Sequence, residues 1–334
     1  MKDKILTGVT TTGVPHLGNY VGAMLPAIKA SKYENTESFF LIADYHSLVK
    51  NKEAKKIKDS TLEIAASWLA VGLDDNSLFY RQSDIPEIME LNWILSCSTA
   101  KGLMNRAHAY KSLINQNQDL DDRDVDKGIN MGLYCYPILM AADILIFNAN
   151  KIPVGKDQLQ HIEMTRDIAN RFNYHYGDIF ELPQAILGDQ NSIIPGIDGR
   201  KMSKSYSNTI PLFIDEKRLK KLVMRIKTDS KEPGEPKDYS SSNLFSIFKS
   251  FARQEEVSDY KEKFKNGISW GDAKNILFDH LNDHLKGYRE NYNKIIRDKG
   301  CIENILKEGS IKAREISTKN LEKIRSAIGI KKIS

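Results

Sequence analysis

The chain has 334 residues and a mass of 38.0 kDa; 41% of its residues are hydrophobic, 28% are charged, and the mean hydropathy is −0.44. Two domains with a sizeable core are expected at that length, and no apolar run is long enough to cross a bilayer. The net charge is +5, but residues 211–334 hold 27 Lys+Arg against 19 Asp+Glu, a local +8 that leaves −3 for the first 210. A basic C-terminal third fits a polyanion partner such as nucleic acid, or an ordinary solvated helical surface.

The start, MKDKILTGV, has no signal-peptide apolar region. Cys97, Cys135 and Cys301 show neither pairing nor metal-ligand spacing. They read as reduced, mostly buried thiols of a cytoplasmic protein.

Ile5–Asn19, ILTGVTTTGVPHLGN, reads as a buried strand, a Gly/Thr-rich turn and a helix opening at Gly18-Asn19. Such a turn holds a phosphate, because its backbone N–H groups and the positive end of the helix dipole face the anion. His16 adds a donor for a phosphoryl oxygen. The helix continues over Tyr20–Tyr33, with Pro26 kinking or shortening it. A strand at Ser38–Asp44, a helix from Lys55 to Val71, a strand at Leu78–Gln82 and a helix over Glu87–Ile94 follow. This βαβαβ rhythm predicts an α/β fold with a parallel sheet, doubly wound by helices, whose ligands sit beyond the strand carboxyl ends.

Residues from Leu91 to Asn148 read as helical and as an insertion into the sheet domain. Asn115–Lys127, with its acidic cluster DLDDRDVD, interrupts them as a mobile loop. The spacing matches no calcium loop, so a solvated surface is the preferred reading. A strand at Lys151–Val154 leads through Gly155-Lys156-Asp157-Gln158 into a helix ending near Asn173. A Pro/Gly-punctuated connection, Leu182–Asp198, then reaches the loop GRKMSKSYSN. From Asp215 the chain is helical, with an exposed loop at Thr228–Ser242 and a last helix over Ala313–Ile328. Trp68 and Trp93 are expected in the core.

Lys201-Met202-Ser203-Lys204-Ser205, beside Gly199 and Arg200, places two lysines three apart in a small polar loop. Ammonium groups on a loop that closes and reopens suit a departing pyrophosphate, although alone the segment equally describes a basic surface loop.

PHLGN followed far downstream by KMSKS resembles the paired signatures of the class I aminoacyl-tRNA synthetases. The resemblance implies a Rossmann-type catalytic core that joins an amino acid to ATP, releases pyrophosphate and esterifies tRNA, with Mg2+ accompanying ATP and no protein ligand to the metal. Carried onto this chain, the catalytic residues are His16, Lys201 and Lys204. The ATP contacts are Thr10, Thr11, Thr12, Gly18, Asn19, Gly155, Lys156, Asp157 and the loop Lys201, Met202, Ser203, Lys204 and Ser205. Relatives often have Gln-Pro where this chain has Thr10-Thr11, which leaves the partner of those hydroxyls undetermined.

Tyr136, Met140 and Asp143 in YPILMAAD share one helix face at i, i+4 and i+7. An aromatic wall, a polarizable thioether and one carboxylate acceptor match an indole. The plain alternative is a core helix in which Asp143 caps or pairs. Here the resemblance sharpens to the tryptophanyl branch, since the tyrosyl enzymes typically have glutamine where Met140 stands. It implies tryptophan contacts from Asp143, Tyr136, Met140, Gln158 and His46, with Asp44 near the same pocket. His161 either lines that site or is a helix-face histidine.

The implied organisation is a catalytic domain over 1–210, with a helical insertion at about 80–140 forming a homodimer interface. A helical domain over 211–334 would read the anticodon of tRNA(Trp), its last helix able to pack back on the core. A cofactor-building nucleotidyltransferase shares the His/Gly turn but has no need of YPILMAAD or a basic helical domain. A non-catalytic RNA-binding relative would be expected to have lost His16 or the lysine loop.

Overall fold

The computed structural model describes residues 2–11, 13–73, 76–119, 124–187 and 194–331, without the Asp157 side chain. Thr12, that side chain and residues 120–123 of the acidic segment therefore lie outside the described residues. Strand β1 (Asp3–Thr10) pairs in parallel with β2 (Thr36–Ala43) on one side and with β4 (Lys151–Val154) on the other. Strand β3 (Leu78–Arg81) joins β2, β5 (Gln184–Leu187) joins β4, and the order is β3-β2-β1-β4-β5. The order reverses between β1 and β4, the switch point beyond which open α/β sheets bind ligands.

In the run SFFLIA every residue after Ser38 is apolar, because β2 is covered on both faces. Phe40 and Ile42 enter one core with Leu17 and Trp68, whereas Phe39 and Leu41 enter a second with Tyr80 and Phe147. Successive side chains point to opposite faces of a strand, so one hexapeptide seeds both cores.

After β1 the helix runs as α1 (Leu17–Asn19), a π turn over Tyr20–Met24, and α2 (Leu25–Ser31). Pro26 neither shortens nor breaks it. The Leu25 N–H reaches five residues back to the Tyr20 carbonyl, and this wide turn places Pro26 in the first turn of α2, where its missing N–H costs little. Then come α3 (Asp44–Ser47), α4 (Ala54–Ala70), a 3-10 turn at Gln82–Asp84, α5 (Pro86–Ser98), α6 (Lys101–Met104), α7 (His108–Asp119), α8 (Met131–Leu145) and α9 (Leu159–Tyr176). The C-terminal part holds α10 (Glu216–Met224), α11 (Asn243–Lys249), α12 (Gln254–Lys265), α13 (Trp270–Ile295) and α14 (Lys299–Ala327).

Several expectations need correction. Strand β5 lies inside the supposed Leu182–Asp198 connection. It is a sheet edge of four residues, QAIL, with Ile186 and Leu187 exposed, and between Pro183 and Gly188 it is too short to stand out as a strand. Asn115–Asp119 belong to α7, and the Asn117 amide closes the segment by donating to the Val125 and Lys127 carbonyls at 2.8 and 2.9 Å. Cys97 and Cys301 are exposed thiols rather than buried ones. Trp68 is core, but Trp93 is 70% exposed.

Helix α14 begins at Lys299, well before Ala313. Gly309 discourages a helix reading, yet it is there because α14 lies against β3: a Cβ at Gly309 would stand 1.8 Å from the Phe79 carbonyl oxygen. Arg314 forks onto the buried Glu87 of α5 at 2.9–3.3 Å, and Arg325 pairs with Glu90. The other C-terminal helices share the first core with α4, and Phe213 stacks on Tyr292 at 4.2 Å.

Candidate active site

Backbone hydrogen bonds tie the first sequence signature to the segment that directly follows the second. Leu17 N–H donates to the Ile210 carbonyl at 3.0 Å and Leu212 N–H to the Pro15 carbonyl at 2.9 Å. His16 caps α1: its Nδ1 accepts from Asn19 N–H at 3.3 Å while the Asn19 amide oxygen accepts from His16 N–H at 3.1 Å. Asn19 thus holds the histidine in place. With Nδ1 occupied as an acceptor, the proton of the neutral ring sits on Nε2, the atom available as a donor. Burial, assisted by the Lys204 charge, lowers the His16 pKa to about 4, so the ring is neutral at pH 7. Gly18 is needed because the imidazole lies over it; a Cβ would meet His16 Nδ1 at 3.0 Å and the Met202 Cβ at 3.4 Å.

That last contact shows how the lysine loop is seated. Met202, expected to touch ATP, is instead 3% exposed and packs into the first core as the loop's anchor. Asn208, a residue the sequence reading did not single out, is the loop's post. It is buried, accepts Ser203 N–H at 2.8 Å, and donates to Asp198 at 2.7 Å and to the Lys201 carbonyl at 3.1 Å. Lys201, Lys204 and Ser205 are left on the outside, and the Ser203 hydroxyl accepts Ser205 N–H at 3.3 Å. The Lys204 ammonium reaches the first turn, where a Cβ on Gly13 would be 3.8 Å from it and 3.4 Å from Glu63. Desolvation lowers the Lys204 pKa, and the Glu63 carboxylate opposes that shift.

Beyond the turn lies a cleft of about 1140 Å³, lined among others by Thr10, Thr11, His46, Tyr136, Gln158 and His161. Thr10 is exposed at the end of β1, whereas Thr11 is buried with its hydroxyl bonded to that of Ser47. Gly155 and Lys156 sit exposed after β4. His161 lines the cleft: its Nδ1 meets Gln158 Oε1 at 2.8 Å and its Nε2 meets the Tyr136 hydroxyl. Met140 is half-buried against the second core, one turn from Tyr136, and does not line the cleft.

Asp143 is fully buried. Its Oδ2 lies 2.8 Å from His46 Nε2, and its Oδ1 accepts from Gln82 Nε2 at 2.7 Å. Burial raises its pKa, and the His46 and Gln82 hydrogen bonds pull it back. Asp44, expected beside the amino acid, is used elsewhere. Its carboxylate accepts Tyr45 N–H, Ser83 N–H and the Ser83 hydroxyl, and it borders a separate cavity against α14.

The arrangement is an anion-binding turn under a cationic loop, beside a cleft whose wall residue His46 is backed by the buried Asp143 carboxylate. Among the described residues, no group of three or more His, Cys, Asp or Glu could hold a metal. The chemistry such a site supports is transfer by positioning and charge stabilisation.

The family model for tRNA synthetases class I (W and Y) matches residues 2–286. A tryptophan–tRNA ligase of Neisseria meningitidis is 52% identical over 331 residues, which cover 99% of this chain and 98% of that protein. One of Pseudomonas putida is 52% identical over 335 residues, covering 99% of this chain and 74% of that relative. The crystal structure of tryptophanyl-tRNA synthetase from Campylobacter jejuni, complexed with ADP and tryptophan, matches with a TM-score of 0.87 at 40% identity, covering 98% of this chain and 99% of that one. By sequence, by fold and by the two signatures it carries, the chain belongs to the class I tRNA synthetases of the tryptophan and tyrosine family.

Proposed function

We infer that the chain is a tryptophan–tRNA ligase. It activates L-tryptophan with ATP to tryptophanyl-adenylate and pyrophosphate, then transfers tryptophan to tRNA(Trp). The observation that carries this reading is the shared cleft: Thr10, Thr11 and Gly13 of the first turn line it, with the Lys204 ammonium beside Gly13, and the Tyr136–His161–Gln158 chain lines the same cleft. The Campylobacter relative holds ADP and tryptophan together, the pair this cleft is suited to.

In this mechanism the His16 Nε2–H and the turn's backbone receive the phosphates, with Thr10, Gly155 and Lys156 lining the nucleotide side. Lys201 and Lys204 offset the charge that grows as pyrophosphate leaves. Gln158 meets the α-ammonium group, Tyr136 and His46 wall the indole, and Asp143 accepts its N–H. Mg2+ arrives on the triphosphate, whose oxygens and water supply its coordination.

Three further roles are part of the proposal. The basic helices after residue 211 read the anticodon of tRNA(Trp). A homodimer forms through the α5–α8 region, where Met89, Trp93 and Cys97 make an exposed stripe at i, i+4 and i+8 and Met131 is 70% exposed. The protein works in the cytoplasm.

Tryptophan-dependent ATP–pyrophosphate exchange followed by charging of tRNA(Trp) tests the reading. Exchange with a nucleotide-precursor acceptor and none with tryptophan would favour a nucleotidyltransferase and sink it. Light scattering on the wild type and on Trp93→Glu checks the dimer: twice the chain mass is expected for the first, and a shift toward the monomer for the second.

A further inference from the structure

Gln82 has no exposed surface and sits in the short turn after β3, and it has no role in the mechanism described so far. Its amide makes two bonds of opposite sense: Oε1 accepts Tyr45 N–H at 3.1 Å, and Nε2 donates to Asp143 Oδ1 at 2.7 Å. A backbone N–H only donates, so the Tyr45 contact fixes which way the amide faces. The oxygen must point to α3, and the nitrogen must point to Asp143 on α8.

We infer that Gln82 is a positioning residue for the amino-acid side chain: it pins Asp143 Oδ1 as a hydrogen-bond acceptor and sets the direction in which that carboxylate meets an indole N–H. The inference rests on the tryptophan reading above. An ionised carboxylate has about four acceptor positions. Gln82 and His46 each occupy one, and together they fix the plane of the group while leaving acceptor capacity for a ligand. The pair has a second effect. Burial favours the protonated form of Asp143, and a protonated carboxyl offers a hydrogen where the indole also offers one. His46 and Asp44 on α3, Gln82, and Tyr80 on β3 are the charged, titratable or hydrogen-bonding groups that act on this carboxyl; His46 and Gln82 favour its ionised form, and Asp44 opposes it.

The test compares tryptophan with its benzothiophene analogue, which has sulfur in place of the indole N–H, in ATP–pyrophosphate exchange. Gln82→Met keeps the volume and removes the donor. It is expected to lower kcat/KM for tryptophan about 10- to 100-fold, the range for losing a hydrogen bond to a charged group, and to leave the analogue nearly unchanged. The acid limb of the tryptophan profile moves to higher pH. In an Asp143→Asn background, Gln82→Met causes no further loss in tryptophan preference, as coupling through one carboxylate requires. Gln82→Asn, which keeps a buried amide but draws it back by one methylene, gives the same direction should Gln82→Met not fold. An equal fall for both amino acids, with an unmoved acid limb, overturns the inference and makes Gln82 purely structural. Wild-type protein that exchanges with neither amino acid overturns the tryptophan reading itself.

Discussion

The two ends of the cleft are built on opposite plans. At the end proposed for the phosphates the working groups are exposed side chains on a loop, held by a buried methionine and a buried asparagine. At the end proposed for the indole the working group is the buried one, held by the enclosed Gln82 and by His46 on the cleft wall. Charge on a flexible loop suits a ligand that must arrive, change and leave. A sealed carboxylate suits a decision between similar side chains, because a wrong ligand leaves its remaining acceptor positions unfilled.

The largest expected effect breaks the sealed end. Asp143→Ala leaves Gln82 and His46 without their acceptor, and kcat/KM for tryptophan should fall by about 10³-fold or more while the circular dichroism spectrum stays native. Near-normal activity would remove the indole role. At the other end, Lys204→Ala should slow exchange by about 10²- to 10³-fold in kcat with KM for tryptophan unchanged, since it removes charge needed in the transition state. A defect confined to tryptophan affinity would contradict that separation.

His16 lies between the two plans, buried like the indole end but facing phosphate. Its folded pKa of about 4 is below the ordinary histidine value of 6.5, so the unfolded chain binds the extra proton first. The stability it protects is fully present above about pH 6.5 and is lost as pH falls to about 4, by at most about 3 kcal/mol. Urea midpoints for wild type and His16→Gln should converge across that window; parallel curves would mean the histidine is not held neutral. Smallest is Thr11→Ala, which removes the hydroxyl bond to Ser47. A loss of about 1 kcal/mol in stability with KM for ATP unchanged is expected. Thr10→Ala, on the exposed side, should do the reverse and raise KM for ATP.

Legibility in the sequence follows the same division. The parallel strands β1 to β4 and the phosphate turn were readable because their signals are local: an apolar run, a glycine turn, two lysines three apart. Strand β5 was not, because its four residues between a proline and a glycine read as part of a connection. Gly309 concealed the start of α14, since the reason for a glycine there is a carbonyl on β3. At the indole end the helix face of Tyr136 and Asp143 was readable from its period. Gln82 and Asn208 were not, although both stand in segments that drew notice. Each acts through contacts made across the fold, and Gln82 reaches Asp143 over 61 positions. Met140 and Asp44 mark the other limit: matching a family position gave each a neighbourhood, and packing decided what each touches.

The most direct measurement of the account is the ratio of kcat/KM for tryptophan over tyrosine in ATP–pyrophosphate exchange by the wild-type protein. A sealed, pre-oriented carboxylate predicts a preference of about 10⁴ or more, without editing. A ratio within tenfold would mean that the buried end of the cleft does not choose the amino acid.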